Sequence, residues 1–273
     1  MSESKMQRRS TSIAKVTIGA ALFFGGTSLL LFTVFLLRGP FHLIILDVSK
    51  PMALAIDAIL CLLFFLQHSG MVRKSFQTWL GRSVPAYLHR AIYATVSGVV
   101  LLALMLFWQP TEPILLSAEG LLRWLLYGFF FAGILGLLWG ARALGAFDAF
   151  GIQPIREFLH EEKFREQPLT VRGPYRWVRH PLYTSTLLIM WSCADYSADR
   201  LLFNATWTIW MFMGTVFEER DLASTFGKPY RDYQRNVPML IPWRLPGSLS
   251  DQSLHHSADA HGELQRFTDN EEE

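Results

Sequence analysis

Uninterrupted apolar runs of helix-spanning length recur along this chain, and they limit what it can fold into more than any other feature. A bilayer core of ~30 Å takes roughly 20 apolar residues per helical crossing. The runs Ile13 to Leu37, Met52 to His68, Ala91 to Trp108 and Leu121 to Leu144 are of that order. Two more, Leu182 to Cys193 and Leu201 to Phe217, flank a short polar link from Ala194 to Arg200. That link is too short to hold a soluble domain, so the pair reads as a helical hairpin, its first arm short for a full crossing. Buried in a water-soluble protein, six such helices would lack amphipathic partners to cover them. With 51% of residues hydrophobic and 18% charged, the chain reads as an all-α, polytopic membrane helix bundle of about six spans.

The first run follows the basic start MSESKMQRRS. Its apolar stretch exceeds the 7 to 15 residues of a signal-peptide core, so it is expected to remain as an anchor. Three regions follow: a cytoplasmic N-terminus at 1–12, an integral membrane domain at 13–244, and a polar tail at 245–273 expected to be disordered. With the N-terminus inside, 21 of the 25 lysines and arginines fall on the cytoplasmic side, leaving Arg38, Lys50, Arg123 and Arg200 outside. By the positive-inside rule both termini are cytoplasmic, most simply at a bacterial inner membrane. Basic loops beside lipid are explained by topology, and a net charge of +2 gives no reason to invoke nucleic acid.

Cys61 and Cys193 both lie within apolar runs without paired spacing, which argues against a disulfide framework. His255, His256 and His261 sit in the polar tail, where a disordered end is the simpler reading than a metal site. No internal repeat is visible. The run GLLWG, Gly136 to Gly140, has the small-xxx-small spacing of a helix contact, within one chain or between chains. Nothing in the sequence fixes an oligomeric state.

Polar groups near membrane depth tend to mark function, and under this topology they converge on the cytoplasmic face. Gln67 and His68 close the second run, Asp148 follows the fourth, the block VRGPYRWVRHPLY (Val171 to Tyr183) precedes the fifth, and FEERDL (Phe217 to Leu222) ends the sixth. Pro181 suits the first position of a helix, where a missing N–H costs nothing. The free N–H groups of that helix start, beside Arg179 and His180, would attract an anion. Glu218 and Glu219 can take an ammonium or ribose hydroxyls. Tyr175, Trp177 and Tyr183 offer aromatic faces to an adenine ring or a sulfonium. A zwitterionic, nucleotide-like ligand fits this set. The bland alternative is that the arginines anchor a span and that Glu-Glu-Arg pairs locally along its helix.

The run GPYRWVRHPLY, Gly173 to Tyr183, is followed by EERDL, Glu218 to Leu222, and FGKPYRDYQRNVP, Phe226 to Pro238. In order and spacing these resemble the C-terminal half of the isoprenylcysteine carboxyl methyltransferase and phospholipid methyltransferase superfamily, integral membrane enzymes that use S-adenosyl-L-methionine. LQHSGMVRKSFQTWL, Leu66 to Leu80, and RAIY, Arg90 to Tyr93, are similar to its methanethiol S-methyltransferase branch, close to NnrU-like proteins. The resemblance implies cofactor contacts at Gln167, Pro168, Leu169, Thr170, Tyr175, His180, Pro181, Leu182, Tyr183 and Glu218, in a cytoplasmic site built by the C-terminal hairpin and its flanking loops. Where isoprenylcysteine members carry a substrate-binding arginine one turn before the glutamates, this chain has Gly214. Without a guanidinium to pair a substrate carboxylate, a small thiol becomes the expected acceptor, methanethiol yielding dimethyl sulfide.

Sulfur methylation needs the thiolate, in-line alignment and exclusion of water. His68, at the depth of the cofactor motifs, is the candidate base, with Arg179 and His180 completing the expected catalytic set. A helix-end histidine bonded to a backbone carbonyl is the competing structural role for His68. No Gly-rich turn of a soluble nucleotide-binding fold occurs, and no metal is expected. Partners are the thiol and membrane lipids. Two alternatives stay open: the same fold methylating a prenylcysteine or lipid, and a non-catalytic NnrU-like membrane protein.

Overall fold

Side chains that are apolar around the whole helix circumference cannot be satisfied by one buried stripe, and in lipid the backbone must pair within its own segment. The computed structural model, which describes residues 3–145, 147–160 and 169–244, accordingly forms long helices. α1 (Glu3–Ala20) passes through a π-turn at Ala21–Gly25 into α2 (Gly26–Arg38). α3 (Lys50–Val72), a short α4 (Lys74–Leu80) and α5 (His89–Phe107) follow, then strand β1 (Leu116–Ser117), α6 (Gly120–Leu144) and α7 (Gln153–His160). The last part is α8 (Pro181–Trp191), strand β2 (Asp195–Tyr196), α9 (Ala198–Phe226) and α10 (Lys228–Asn236).

Four helices are long and apolar enough to cross a membrane: Ser10–Arg38, Lys50–Val72, Ala86–Phe107 and Gly120–Leu144. They correspond to the first four runs of the sequence. Of the other two, the first is short, as its run leads one to expect, and the second is longer than its run. α8 has 11 residues, about 17 Å of helix, which is half a crossing. α9 has 29 residues and continues nine residues beyond Phe217 through the charged segment. Lipid-facing character is plain on α6, where Leu121 is 75% and Trp124 72% exposed. An apolar surface of that extent marks a membrane-contacting face.

α8 is held despite its length because α6 offers it a face of glycines. A Cβ on Gly133 would stand 2.6 Å from Ile189 Cγ1, one on Gly136 2.5 Å from Ser185 Oγ, and one on Gly140 2.8 Å from Leu182 Cδ2. The GLLWG glycines therefore serve a contact within the chain, the close-approach packing that replaces hydrophobic drive between helices in lipid. The π-turn has a similar cause. It lies against α5, where a Cβ on Gly98 would meet the Phe24 carbonyl oxygen at 2.6 Å. The centre of the bundle is aromatic, with Phe64 stacked on Trp207 at 5.1 Å and Phe65 on Trp210 at 4.6 Å.

One end of the bundle gathers the loops after α2, α5 and α8. Gln109 accepts the Leu46 N–H at 2.8 Å, its own N–H reaches Asp57 at 2.8 Å, and Asp199 takes Trp108 Nε1 at 3.0 Å. β1 pairs antiparallel with β2 there, and Arg123 bonds Asp195 at 2.6 Å. This two-residue ladder is absent from the all-α expectation. The opposite end holds α4, α7, α10 and the segment before α8. Asp148 receives the N–H groups of Ile152 and Gln153 at 2.9 and 2.8 Å, so it caps α7.

Candidate active site

The Gly173-Pro-Tyr-Arg stretch folds as a 3-10 turn entered by Gly173 at φ 57°, a left-handed conformation that favours glycine. It is tied to α6 by Arg172 Nε, which donates to the Ala143 carbonyl at 2.7 Å. α8 then starts at Pro181, as its missing N–H leads one to expect. Residues 234–240 wrap that start. The Arg179 N–H donates to Pro238 O at 2.9 Å, the His180 N–H to Met239 O at 3.1 Å, and Thr184 Oγ1 to Leu240 O at 2.7 Å.

The hub of the region is Glu219, buried at the inner end of α9. Its Oε1 accepts Arg179 Nε at 2.8 Å, His180 Nε2 at 2.6 Å and the Tyr230 hydroxyl at 2.8 Å; its Oε2 accepts Arg179 Nη2 at 2.8 Å and Gln234 Nε2 at 2.6 Å. Burial alone would raise the pKa of this carboxyl. The bonds from His180, Arg179, Gln234 and Tyr230 outweigh it and hold the group well below the usual carboxylate range. Arg179 is spent as well, its Nη1 lying on the carbonyls of Gln234 (3.0 Å) and Val237. Arg179 and Glu219 thus join α8 to α9 and α10, rather than pairing locally along one helix.

Glu218 differs. Its side chain is 44% exposed, and its Oε2 lies 3.7 Å from His180 Nδ1. Tyr183, Tyr175 and Tyr230 are all near enough to feel its charge. Burial, reinforced by Glu218, pushes the Tyr175 phenol up to about 12. An open carboxylate ringed by neutral phenols is a receptor for a cation with an aromatic or hydroxyl-bearing body. That donor set fits S-adenosylmethionine, which carries an ammonium, a sulfonium, an adenine and a ribose.

The remaining expected residues fall around this point. Tyr175 is buried, with its carbonyl bonded by Tyr233; Pro181 and His180 are buried at the α8 start; Leu182 packs toward Gly140; and Leu169 packs with Tyr230, Tyr233 and Val237. Thr170 follows Leu169 in the same segment, while Gln167 and Pro168 lie outside the described residues. Trp177 is turned outward. His68 sits four residues from the end of α3, and its partner is a side chain rather than a backbone carbonyl. The Tyr93 hydroxyl lies 2.6 Å from Nε2 and 3.0 Å from Nδ1. Phe64 and Trp210 rings flank the imidazole, each at 5.2 Å. No group of three or more potential metal ligands occurs among the described residues.

Reading the residues singly misses Tyr230, Gln234 and Tyr93. Tyr230, Tyr233, Gln234 and Val237 recur at three- and four-residue spacing in KPYRDYQRNV, so helical periodicity gives the inward face of α10. Tyr93 carries no comparable signal, because its role depends on how α5 packs against α3.

Four membrane-length helices with a polar cluster at one end fit an integral membrane protein, and its relatives give its class. The phospholipid methyltransferase family profile matches residues 122–229, from α6 to the start of α10. The chain is 37% identical over 203 residues to methanethiol S-methyltransferase of Pseudomonas deceptionensis, covering 73% of this chain and 78% of that protein. It is 31% identical over 192 residues to methanethiol S-methyltransferase of Mycobacterium tuberculosis, covering 70% and 79%. It is also 25% identical over 185 residues to nurim of Rattus norvegicus, covering 64% and 70%. No solved structure matches the chain. The chain belongs to the methanethiol S-methyltransferase group of the phospholipid methyltransferase family.

Proposed function

We propose that this protein methylates a small thiol with S-adenosylmethionine, methanethiol giving dimethyl sulfide, at the cytoplasmic end of the bundle. The observation that carries the site is the division between two adjacent glutamates: Glu219 is saturated by five donors, while Glu218 stands open among Tyr175, Tyr183 and His180. The bound cofactor supplies a methyl group activated on a sulfonium. Glu218 holds its positive end, Tyr175 and Tyr183 give it aromatic faces, and His180, Pro181 and Leu182 line the α8 start beneath it. Leu169, packed against α10, and the following Thr170 approach it from the loop side, and Gln167 and Pro168 are carried as cofactor contacts by the family resemblance alone. Arg179, through Glu219, fixes the geometry of that floor.

The small acceptor is supported by the named activity of the bacterial relatives and by Gly214, where even an added Cβ would meet nothing within 4 Å. Gly214 itself offers no cationic side chain to bind an acceptor's carboxylate. His68 takes the thiol proton. In this reading α8 and α9 form the last hairpin of a six-span bundle with both termini cytoplasmic, which the segregation of loops to two ends supports.

Calorimetric titration with S-adenosylhomocysteine, beside transfer of labelled methyl from S-adenosylmethionine to a panel of thiols, prenylcysteines and lipid amines, tests the proposal. Saturable cofactor binding with turnover confined to thiols is expected. Absence of binding would remove every enzymatic reading, and turnover on a lipid or prenylcysteine alone would reassign the acceptor.

A further inference from the structure

Gln67 carries an amide whose hydrogens are both engaged and whose oxygen is not. Its Nε2 donates to Ser97 Oγ at 3.1 Å and lies 3.1 Å from Met71 Sδ. A thioether sulfur has no hydrogen to give, so the group facing Met71 is the NH2, and the amide's orientation is fixed. The Oε1 atom is sealed from solvent and has no partner among the described residues. A buried acceptor without a donor is costly, and this one sits next in sequence to His68, the proposed thiol base. Resting on the thiol-methylating reading above, we infer that Gln67 recognises the acceptor: its Oε1 takes the hydrogen of the thiol S–H, so the site holds a thiol and releases the thioether product.

The seam between α3 and α5 places the amide. Gln67 meets Ser97, and His68 meets Tyr93, whose hydroxyl lies 2.6 Å from Nε2. Two neighbouring residues of α3 thus face two residues one turn apart on α5, and amide and imidazole share one seam. The Phe64 and Trp210 rings, each 5.2 Å from the imidazole, add apolar walls. Ser69 Oγ accepts Trp210 Nε1 at 3.1 Å, which ties that wall to the helix bearing Gln67 and His68. A small alkyl thiol matches this set, with one hydrogen for Oε1 and an apolar body for the rings.

That single hydrogen serves both residues in turn. Rotation about the C–S bond of the bound thiol swings it from Oε1 toward the imidazole while the sulfur stays in place. His68 then takes the proton, and the pair left on sulfur forms the S–CH3 bond. The methyl arrives without the pair of its old C–S bond, which S-adenosylhomocysteine keeps. The product's sulfur has lone pairs and no hydrogen, so it meets the lone pairs of Oε1 with its own. A site built around a hydrogen bond rejects the analogue that lacks the hydrogen, and here that analogue is the product.

The test compares 1-propanethiol with methyl propyl sulfide, its methylated product. Each is titrated calorimetrically into the S-adenosylhomocysteine complex of the detergent-solubilised full chain, which reads binding without turnover. Gln67→Met keeps the length of the side chain and removes the oxygen, whereas Ser97→Ala breaks the same network from the α5 side and leaves the oxygen in place. The unsubstituted protein and Ser97→Ala should bind the thiol more tightly than the sulfide. Gln67→Met should bind the thiol about three- to tenfold more weakly, with affinity for the sulfide and for S-adenosylhomocysteine undiminished. In turnover the same variant should raise KM for the thiol without lowering kcat. A thiol preference that survives Gln67→Met, parallel losses for thiol and sulfide, or an equal loss in Ser97→Ala would overturn the role of Gln67 while methylation of the same thiol stands. Failure of the unsubstituted protein to methylate either 1-propanethiol or methanethiol would overturn the thiol reading and this assignment with it. Should Gln67→Met fail to bind S-adenosylhomocysteine, Gln67→Leu gives the same decision.

Discussion

Glu218 and Glu219 do different work because about 100° of helix separates neighbouring residues. That rotation points Glu219 at α8 and α10 and leaves Glu218 at the open edge. Glu219→Gln removes the negative partner of a largely enclosed Arg179 side chain and should cost about 3 kcal/mol of stability, read by denaturant unfolding of the detergent-solubilised protein. Glu218→Gln should leave stability within about 0.5 kcal/mol and weaken S-adenosylhomocysteine binding by about tenfold or more, read by calorimetry. Equal destabilisation by both would mean that Glu218 also belongs to the scaffold. The pH dependence has a definite sign. The folded pKa of Glu219 is depressed, so its stabilisation is complete above the ordinary glutamate value of about 4.3 and is lost progressively as pH falls below that value toward the folded one. Melting temperature followed from pH 7 to pH 3 should therefore drop less steeply in Glu219→Gln than in the unsubstituted protein. At this scale the sequence shows which polar residues collect at one end. It does not show that Arg179 and Glu219 satisfy one another, because that pairing crosses forty residues of chain and depends on the α8–α9 packing.

Helices written by long apolar runs are legible in the sequence because length alone decides them, and the start of α8 is legible through Pro181. The end of α9 is not, since its final turns are charged and are held by Tyr230 and Gln234 of the following helix. The β1–β2 ladder and the π-turn at Ala21–Gly25 leave no local signal either; each is set by what packs against it. The glycines of α6 are intermediate: their spacing announces a contact, and the structure identifies α8 as the partner. Gly133→Ala would set a Cβ 2.6 Å from Ile189 Cγ1 and 3.0 Å from the Ser185 carbonyl oxygen. The backbone oxygen cannot swing aside as a side chain would, so α8 must shift at a cost of about 1–3 kcal/mol, carrying Pro181 to Tyr183 with it. Thermal unfolding and S-adenosylhomocysteine affinity should both worsen. Gly128→Ala, on the same helix with nothing within 4 Å, should be neutral or slightly stabilising through helix propensity. Identical behaviour of the two variants would show that the α6–α8 contact does not set the site.

For the molecule as a whole, the distribution of basic residues and the grouping of loops give the same division by independent routes. Charge assigns Arg38, Lys50, Arg123 and Arg200 to the outer side, and the loops bearing or adjoining them are joined through Gln109, Asp57, Asp199 and the β1–β2 ladder at one end. The cofactor cluster lies at the other end, so its cytoplasmic exposure depends on this orientation. A labelling experiment decides it with little background, because Cys61 and Cys193 are both buried and unpaired. Asp47→Cys and Glu119→Cys, exposed at the outer end, should react with a membrane-impermeant maleimide applied to intact bacterial cells. Ser83→Cys and Ser224→Cys, exposed at the opposite end, should react only after permeabilisation. The reverse pattern would put Glu218 outside, away from the cell's S-adenosylmethionine, and would end the proposed reaction. Labelling of Ser224→Cys from outside together with Asp47→Cys would mean instead that α8 crosses and α9 does not return, leaving five spans and a cofactor site on the outer face.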